Sequence, residues 1–140
     1  MKKILLLFVV LLTLTSFNSS TKLDDFNIVG KWEGGDNNEI GYFVFLEENY
    51  AYFEVQGQII GGKEFEIKGK KGSMKYVIDY TTNPIQFDFI TTRFDTKETL
   101  ELFGIIDVIN KNEIKISLGF NGSRPTNFNT DDALNFIRVE

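Results

Sequence analysis

Cysteine and histidine are both missing from this 140-residue chain. Without them Ser-His-Asp and Cys-His catalysis, thiol redox chemistry and ordinary zinc sites are excluded. Haem held by His or Cys is excluded on the same ground. No disulfide can brace the fold, so its stability must come from the core. Only two prolines and one tryptophan occur. No glycine-rich phosphate loop follows a strand and opens a helix. Positive charge is also scarce, with 15 basic residues against 20 acidic and a net charge of −5. Such a surface repels polyanions, so nucleic acid and anionic membrane faces are not expected partners.

The start of the chain sets an expected compartment. Met1-Lys2-Lys3 is positive, Ile4 to Leu12 is apolar, and Thr13 to Ser20 is small and polar. A charged start, about ten apolar residues and a small-residue exit have the form of a bacterial-type signal peptide. The run falls short of the roughly 20 residues that a membrane helix needs. The alternative is a buried N-terminal helix, for which nothing downstream supplies an amphipathic partner. Residues 1–20 are therefore expected to be a cleaved signal peptide, with the cut between Ser16 and Ser20. No cysteine follows the run to carry a lipid anchor. A secreted or periplasmic protein is expected, with residues 21–140 as a single domain and no stable membrane insertion. Loss of Lys2 and Lys3 leaves 13 basic residues against 20 acidic, a net of −7.

What is abundant is Phe, Tyr, Ile and Val, arranged in alternation. Ala51, Phe53 and Val55 share one face; so do Phe65 and Ile67, then Met74, Tyr76, Ile78 and Tyr80, then Ile85, Phe87 and Phe89. Ile114, Ile116, Leu118 and Phe120 alternate with Lys115 and Ser117. This pattern belongs to half-buried antiparallel strands. Glu48-Asn49, Gly69 to Gly72, Asn83-Pro84 and Asn110 to Asn112 supply turns. With Ile28–Glu33, Tyr42–Leu46, Leu100–Val108 and Asn135–Val139 added, eight or nine strands are expected. The one helical candidate is a turn at Thr130 to Ala133.

Gly30-Lys31-Trp32 near the start of the domain and Arg138 on the final strand resemble the lipocalin superfamily. That resemblance implies an antiparallel up-and-down β-barrel in which the last-strand arginine packs over the tryptophan at the closed end. A guanidinium on an indole face is physically sound, and closure of a meander makes the first and last strands neighbours. The alternative is a tryptophan in a sandwich core beside an unrelated arginine. A second resemblance spans about residues 28–140. The order Gly-x-Trp, Gly104-Ile105, Arg124-Pro125-Thr126-Asn127-Phe128 and a closing Arg138 is similar to a family of uncharacterised exported bacterial domains with an Arg-Pro-Thr-x-Phe loop. It implies the fold and no activity.

Chemistry-bearing clusters are few. Asp79, Asp88, Glu101 and Asp107 fall on the outer faces of strands, which leaves no carboxylate pair in a cleft. Gly34 to Glu39 is rich in oxygen ligands yet lacks calcium-loop spacing; no metal or cofactor is expected. Lys63, Lys68, Lys70, Lys71 and Lys75 read either as a site for an anionic partner or, preferably, as a solvated hairpin protected from aggregation. Arg124 precedes Pro125 and is held extended; it either meets an anion at the barrel mouth or ties its loop down through carbonyls or a carboxylate. Tyr76, Phe87, Phe89, Arg124 and Phe128 are the candidate ligand-binding residues; Gly30, Trp32 and Arg138 are the structural ones. The expectation is a monomeric binding protein for a small apolar molecule, not an enzyme. Its large inward rings leave room for only a small cavity. The competing reading is a side-chain-filled barrel that binds a periplasmic or surface protein through its loops.

Overall fold

The computed structural model describes residues 21–36 and 39–140. The expected signal peptide lies outside them, as do Asn37 and Asn38. No helix of the described residues is long and apolar enough to cross a membrane. After a single helical turn, α1 (Thr21–Asp24), come β1 (Gly30–Asp36), β2 (Glu39–Phe45), β3 (Ala51–Val55), β4 (Gln58–Gly61) and β5 (Phe65–Ile67). They are followed by β6 (Lys70–Asp79), β7 (Ile85–Arg93), β8 (Thr99–Asn110), β9 (Glu113–Leu118) and β10 (Leu134–Arg138). All pairings are antiparallel, and the sheet runs β4-β3-β2-β1-β10-β9-β8-β7-β6-β5.

The result is an all-β, nearly closed barrel of ten strands rather than eight or nine. The strand that alternation did not mark is β4, four residues set between Gln56-Gly57 and Gly61-Gly62. Its hairpin with β3 turns at Gln56 (φ 51°) and Gly57 (φ 76°). Lys68 (φ 51°) and Gly69 (φ 75°) do the same between β5 and β6. Two successive positive φ values match the right-handed twist of the flanking strands, which is why such turns can be two residues long.

Sheet edges β4 and β5 meet without a ladder. Closure there is local: Tyr50 bridges Lys75. The Tyr76 amide donates to Asn49 O (2.9 Å), Met74 to Gly62 O (2.8 Å) and Gly62 to Ala51 O (2.7 Å). Beyond Gly62 the seam between β4 and β6 stays open.

The interior is aromatic. Phe43 stacks on Phe136 (4.6 Å between ring centroids), Phe53 meets Phe89 edge-on at 4.9 Å, and Phe87 meets Phe89 at 5.2 Å. Each such pair adds about 0.5–1.5 kcal/mol beyond the area it buries. Room for these rings comes from missing side chains. A Cβ on Gly34 or Gly104 would overlap Phe136 or Phe87.

Two further expectations are corrected. Phe120 does not face the core: β9 ends at Leu118, the chain turns at Gly119, and Phe120 is 74% exposed. Thr130 to Ala133 forms one hydrogen-bonded turn (Ala133 N to Thr130 O, 3.1 Å), and the short helix lies at Thr21–Asp24.

Candidate functional site

The strand directions give the barrel two unlike ends. One gathers the start of β1, the end of β10 and the 46–50, 62–64 and 80–84 connections. The other gathers the β3–β4, β5–β6 and β7–β8 turns and the two ends of the 119–133 loop.

Trp32 plugs the first end. It is fully buried, and its indole N–H donates to Ile28 O at 2.8 Å. Arg138, its register partner on β10, lays its guanidinium 4.2 Å from the centre of the indole ring. The same guanidinium donates to Val29 O (2.7 Å), Lys111 O (3.0 Å) and Asn27 O. Burial lowers its pKa from the ordinary arginine value. Gly30 makes this possible. Its φ of +138° suits glycine alone, and an added Cβ would stand 2.7 Å from Arg138 Nη1 and 2.6 Å from Glu140 O.

The opposite end is open. A cleft of about 730 Å³ lies along the unpaired seam, walled by Ile60 of β4, Phe65 and Ile67 of β5, Gly72 and Met74 of β6, Thr91 of β7 and Leu100 of β8. Register explains the wall. Phe65 opposes Gly72, Ile67 opposes Lys70, Met74 opposes Thr91, and Thr91 opposes Leu100, so one face of four strands turns inward here. Because β4 offers no ladder to β5, that face is left uncovered; Leu100 is 74% and Ile67 46% exposed.

Lys68, Lys70, Lys71, Arg93 and Glu98 rim the cleft. Arg93 is held by Asp95 (2.7 Å) and Glu98 (3.3 Å), and Lys71 by Glu64 (2.9 Å). The bond from Arg93 keeps the Asp95 carboxyl below its ordinary pKa, and Glu64 raises that of Lys71. Neither Lys68 nor Lys70 has a carboxylate partner among the described residues. The five lysines read from sequence as one group are thus divided. Lys63 pairs with Glu48 (2.6 Å) and Lys75 lies over the Tyr50 ring (5.0 Å), both toward the plugged end.

The candidate ligand residues do not assemble into one site. Tyr76 is buried, its hydroxyl donating to Leu46 O (3.0 Å), and burial raises its pKa. Phe87 and Phe89 are each 1% exposed and belong to the packed core; neither is among the residues that line the cleft. Arg124 lies outside the barrel. It pairs with Asp88 (2.7 Å), donates to Gly104 O (2.8 Å) and Phe87 O (3.3 Å), and covers the Phe103 ring at 5.1 Å. Phe128 borders a small cleft with Pro84, Ile85 and Asp107. Arg124 and Phe128 are four positions apart, as are Phe103 and Asp107 on β8, a span of about 13 Å in extended chain. The loop is therefore a strap along β8, crossing Ile105 and its partner Ser117, which face outward yet are each 1% exposed.

Sequence reading missed the mouth itself. One signal was available: alternation puts Lys70 on the same face of β6 as Gly72, Met74 and Tyr76, and Arg93 on the same face of β7 as Phe87 and Phe89. A cation on the inward face of a strand marks where the core ends.

Set against family models, curated proteins and solved structures, the chain matches none.

Proposed function

We propose that this is an exported, lipocalin-like binding protein that takes a small apolar molecule into the open end of its barrel. The observation that carries the reading is the cleft of about 730 Å³ walled by Ile60, Phe65, Ile67, Met74 and Leu100. Its size falls within the range of small-molecule sites, roughly 300–1,000 Å³. The plug at the other end leaves the seam side as the way in. The acidic chain keeps the protein soluble and monomeric while its apolar mouth stays exposed.

The test is titration of the mature protein with a series of linear alcohols that compete with an apolar fluorophore. Each buried methylene contributes about 0.8 kcal/mol, so affinity should rise about fourfold per carbon until the cleft is full. Leu100→Asp puts a carboxylate on the wall and should weaken binding at least about tenfold. A fluorophore that never enters, or a Leu100→Asp variant that binds as the parent does, would sink the reading.

A second reading has its own observation. Phe120, in the loop after β9, is 74% exposed, and Phe94, in the β7–β8 turn at the same end, is 36% exposed. Exposed aromatics on loops suit contact with a periplasmic or surface protein. Failure of the alcohol series together with loss of partner binding in Phe120→Ser would favour it.

A further inference from the structure

We infer that the plugged end carries a second binding site, a cleft for a neutral saccharide, in which Tyr80 is the stacking platform and Asn27, Glu47 and Asn49 meet the hydroxyls. It lies apart from the cleft of the open end and goes beyond the function proposed above.

Three pieces of chain enclose this cleft of about 390 Å³: residues 27–29 ahead of β1, the turn between β2 and β3, and the last residues of β6. Its volume is that of a small-molecule site. One wall is a free strand edge. On the seam side of β6 the Met74 amide donates to Gly62 O (2.8 Å) and the Tyr76 amide to Asn49 O (2.9 Å). Such bonds fall on alternate residues, so Ile78 is the next to turn its N–H and C=O toward the seam. The last bridge across it is Tyr50 with Lys75, and no strand lies beside Ile78 there. A backbone donor and a backbone acceptor are thus left at the cleft wall.

Side chains complete the set. Tyr80 is 42% exposed, and its ring is braced edge-on by Phe26 (6.4 Å between centroids), which leans in turn on Trp32 (6.1 Å). A braced, half-exposed ring offers an apolar face for the C–H face of a pyranose and a hydroxyl beside it. Asn49 donates its backbone N–H to Leu46 O and receives the Tyr76 amide on its carbonyl, while its side-chain amide has no partner among the described residues. Asn27 accepts the Val29 amide on Oδ1 (3.0 Å), which leaves its NH₂ group to donate. Glu47 is exposed and forms no ion pair among the described residues. Amide donors, a carboxylate acceptor and an edge that supplies both match vicinal hydroxyls, each of which gives one bond and takes another. No lysine or arginine lines the cleft, so an anionic sugar finds no counter-charge. A hydroxyl donating to the Glu47 carboxylate makes a bond roughly twice as strong as one between neutral groups.

The test is titration of the ¹⁵N-labelled protein with the methyl glycosides of glucose, galactose, mannose and N-acetylglucosamine, followed by amide chemical shifts. At least one should bind with a dissociation constant of about 1–10 mM. The amides of Glu47, Asn49, Ile78 and Tyr80 should move while those of Gly72 and Leu100 at the open end stay. Sorbitol, which has the hydroxyls without the ring face, should leave all of them in place. Tyr80→Ala should weaken binding about tenfold and Tyr80→Phe much less. Glu47→Gln, an exposed change that leaves the fold alone, should weaken it about three- to tenfold. Three results would each overturn the site: no shift with any of the four glycosides, shifts confined to the open end, or full affinity in both Tyr80→Ala and Glu47→Gln. None of them touches the reading of the open end.

Discussion

Gly30, Trp32 and Arg138 act as one unit, and each is costly to change for a different reason. Trp32→Ala removes the largest buried ring at the plugged end; it should cost about 3–5 kcal/mol in denaturant unfolding. A loss below about 1 kcal/mol would show that the ring is not a plug. Gly30→Ala should cost at least about 2 kcal/mol, since the new Cβ strains the backbone and displaces the guanidinium. These residues were legible through the resemblance to the lipocalin superfamily, which implies a last-strand arginine over the first-strand tryptophan. Lys70 was not, because a lysine counted with its neighbours reads as surface charge. Its parity with Gly72, Met74 and Tyr76, carried through by the register, is what puts it on the inward face of β6.

At the scale of elements, hairpins were legible wherever apolar residues alternate over five positions or more. β4 holds two adjacent isoleucines with no alternation, unlike the shorter β5, and its flanking glycines read as a loop. Phe120 was placed inward because its parity continues that of Leu118, but a parity argument lapses where the ladder stops. The strap carrying Arg124 and Phe128 could be seen as a loop, whereas its destination could not. Its anchor on Asp88 and two carbonyls joins residues up to 37 positions apart. Arg124→Ala should lower stability by about 1–3 kcal/mol, since it removes the hydrogen bonds to two carbonyls and leaves the mostly buried Asp88 carboxylate without its partner. It should also speed amide hydrogen exchange at Ile105 and Ser117 and expose 121–129 to protease. Unchanged exchange there would mean that the strap is held by something else.

For the whole molecule, the absence of histidine predicts how stability responds to pH. No side chain of ordinary pKa titrates between about 5.5 and 9, so the melting temperature should be flat across that range. Below it, Asp79 and Asp95 matter. Hydrogen bonds from Thr81 to the first and from Arg93 to the second hold their folded pKa values below the ordinary one. The unfolded chain then binds the proton first, so the stability they contribute is present above about pH 4 and is lost as pH falls through their folded values. Tyr76 acts at the other limit. Burial raises its pKa, the unfolded state ionises first, and stability should fall as pH rises beyond about 10. A melting temperature that changes by several degrees between pH 6 and 8 would contradict this assignment.

The unladdered seam between β4 and β5 also bears on how the chain finds its fold. Eight of the nine strand pairings join consecutive strands. The ninth, β1 with β10, brings together residues as many as 106 positions apart, Trp32 and Arg138. That one pairing carries the long loop-closure entropy of the barrel, and non-local pairing is what slows β-rich domains. The chain order and the spatial order would coincide if the polypeptide began at Lys63, ran to Glu140, crossed a short linker to Asp25 and ended at Gly62. Every ladder in such a circular permutant is a hairpin. It should refold faster than the parent while keeping the same plug and the same mouth.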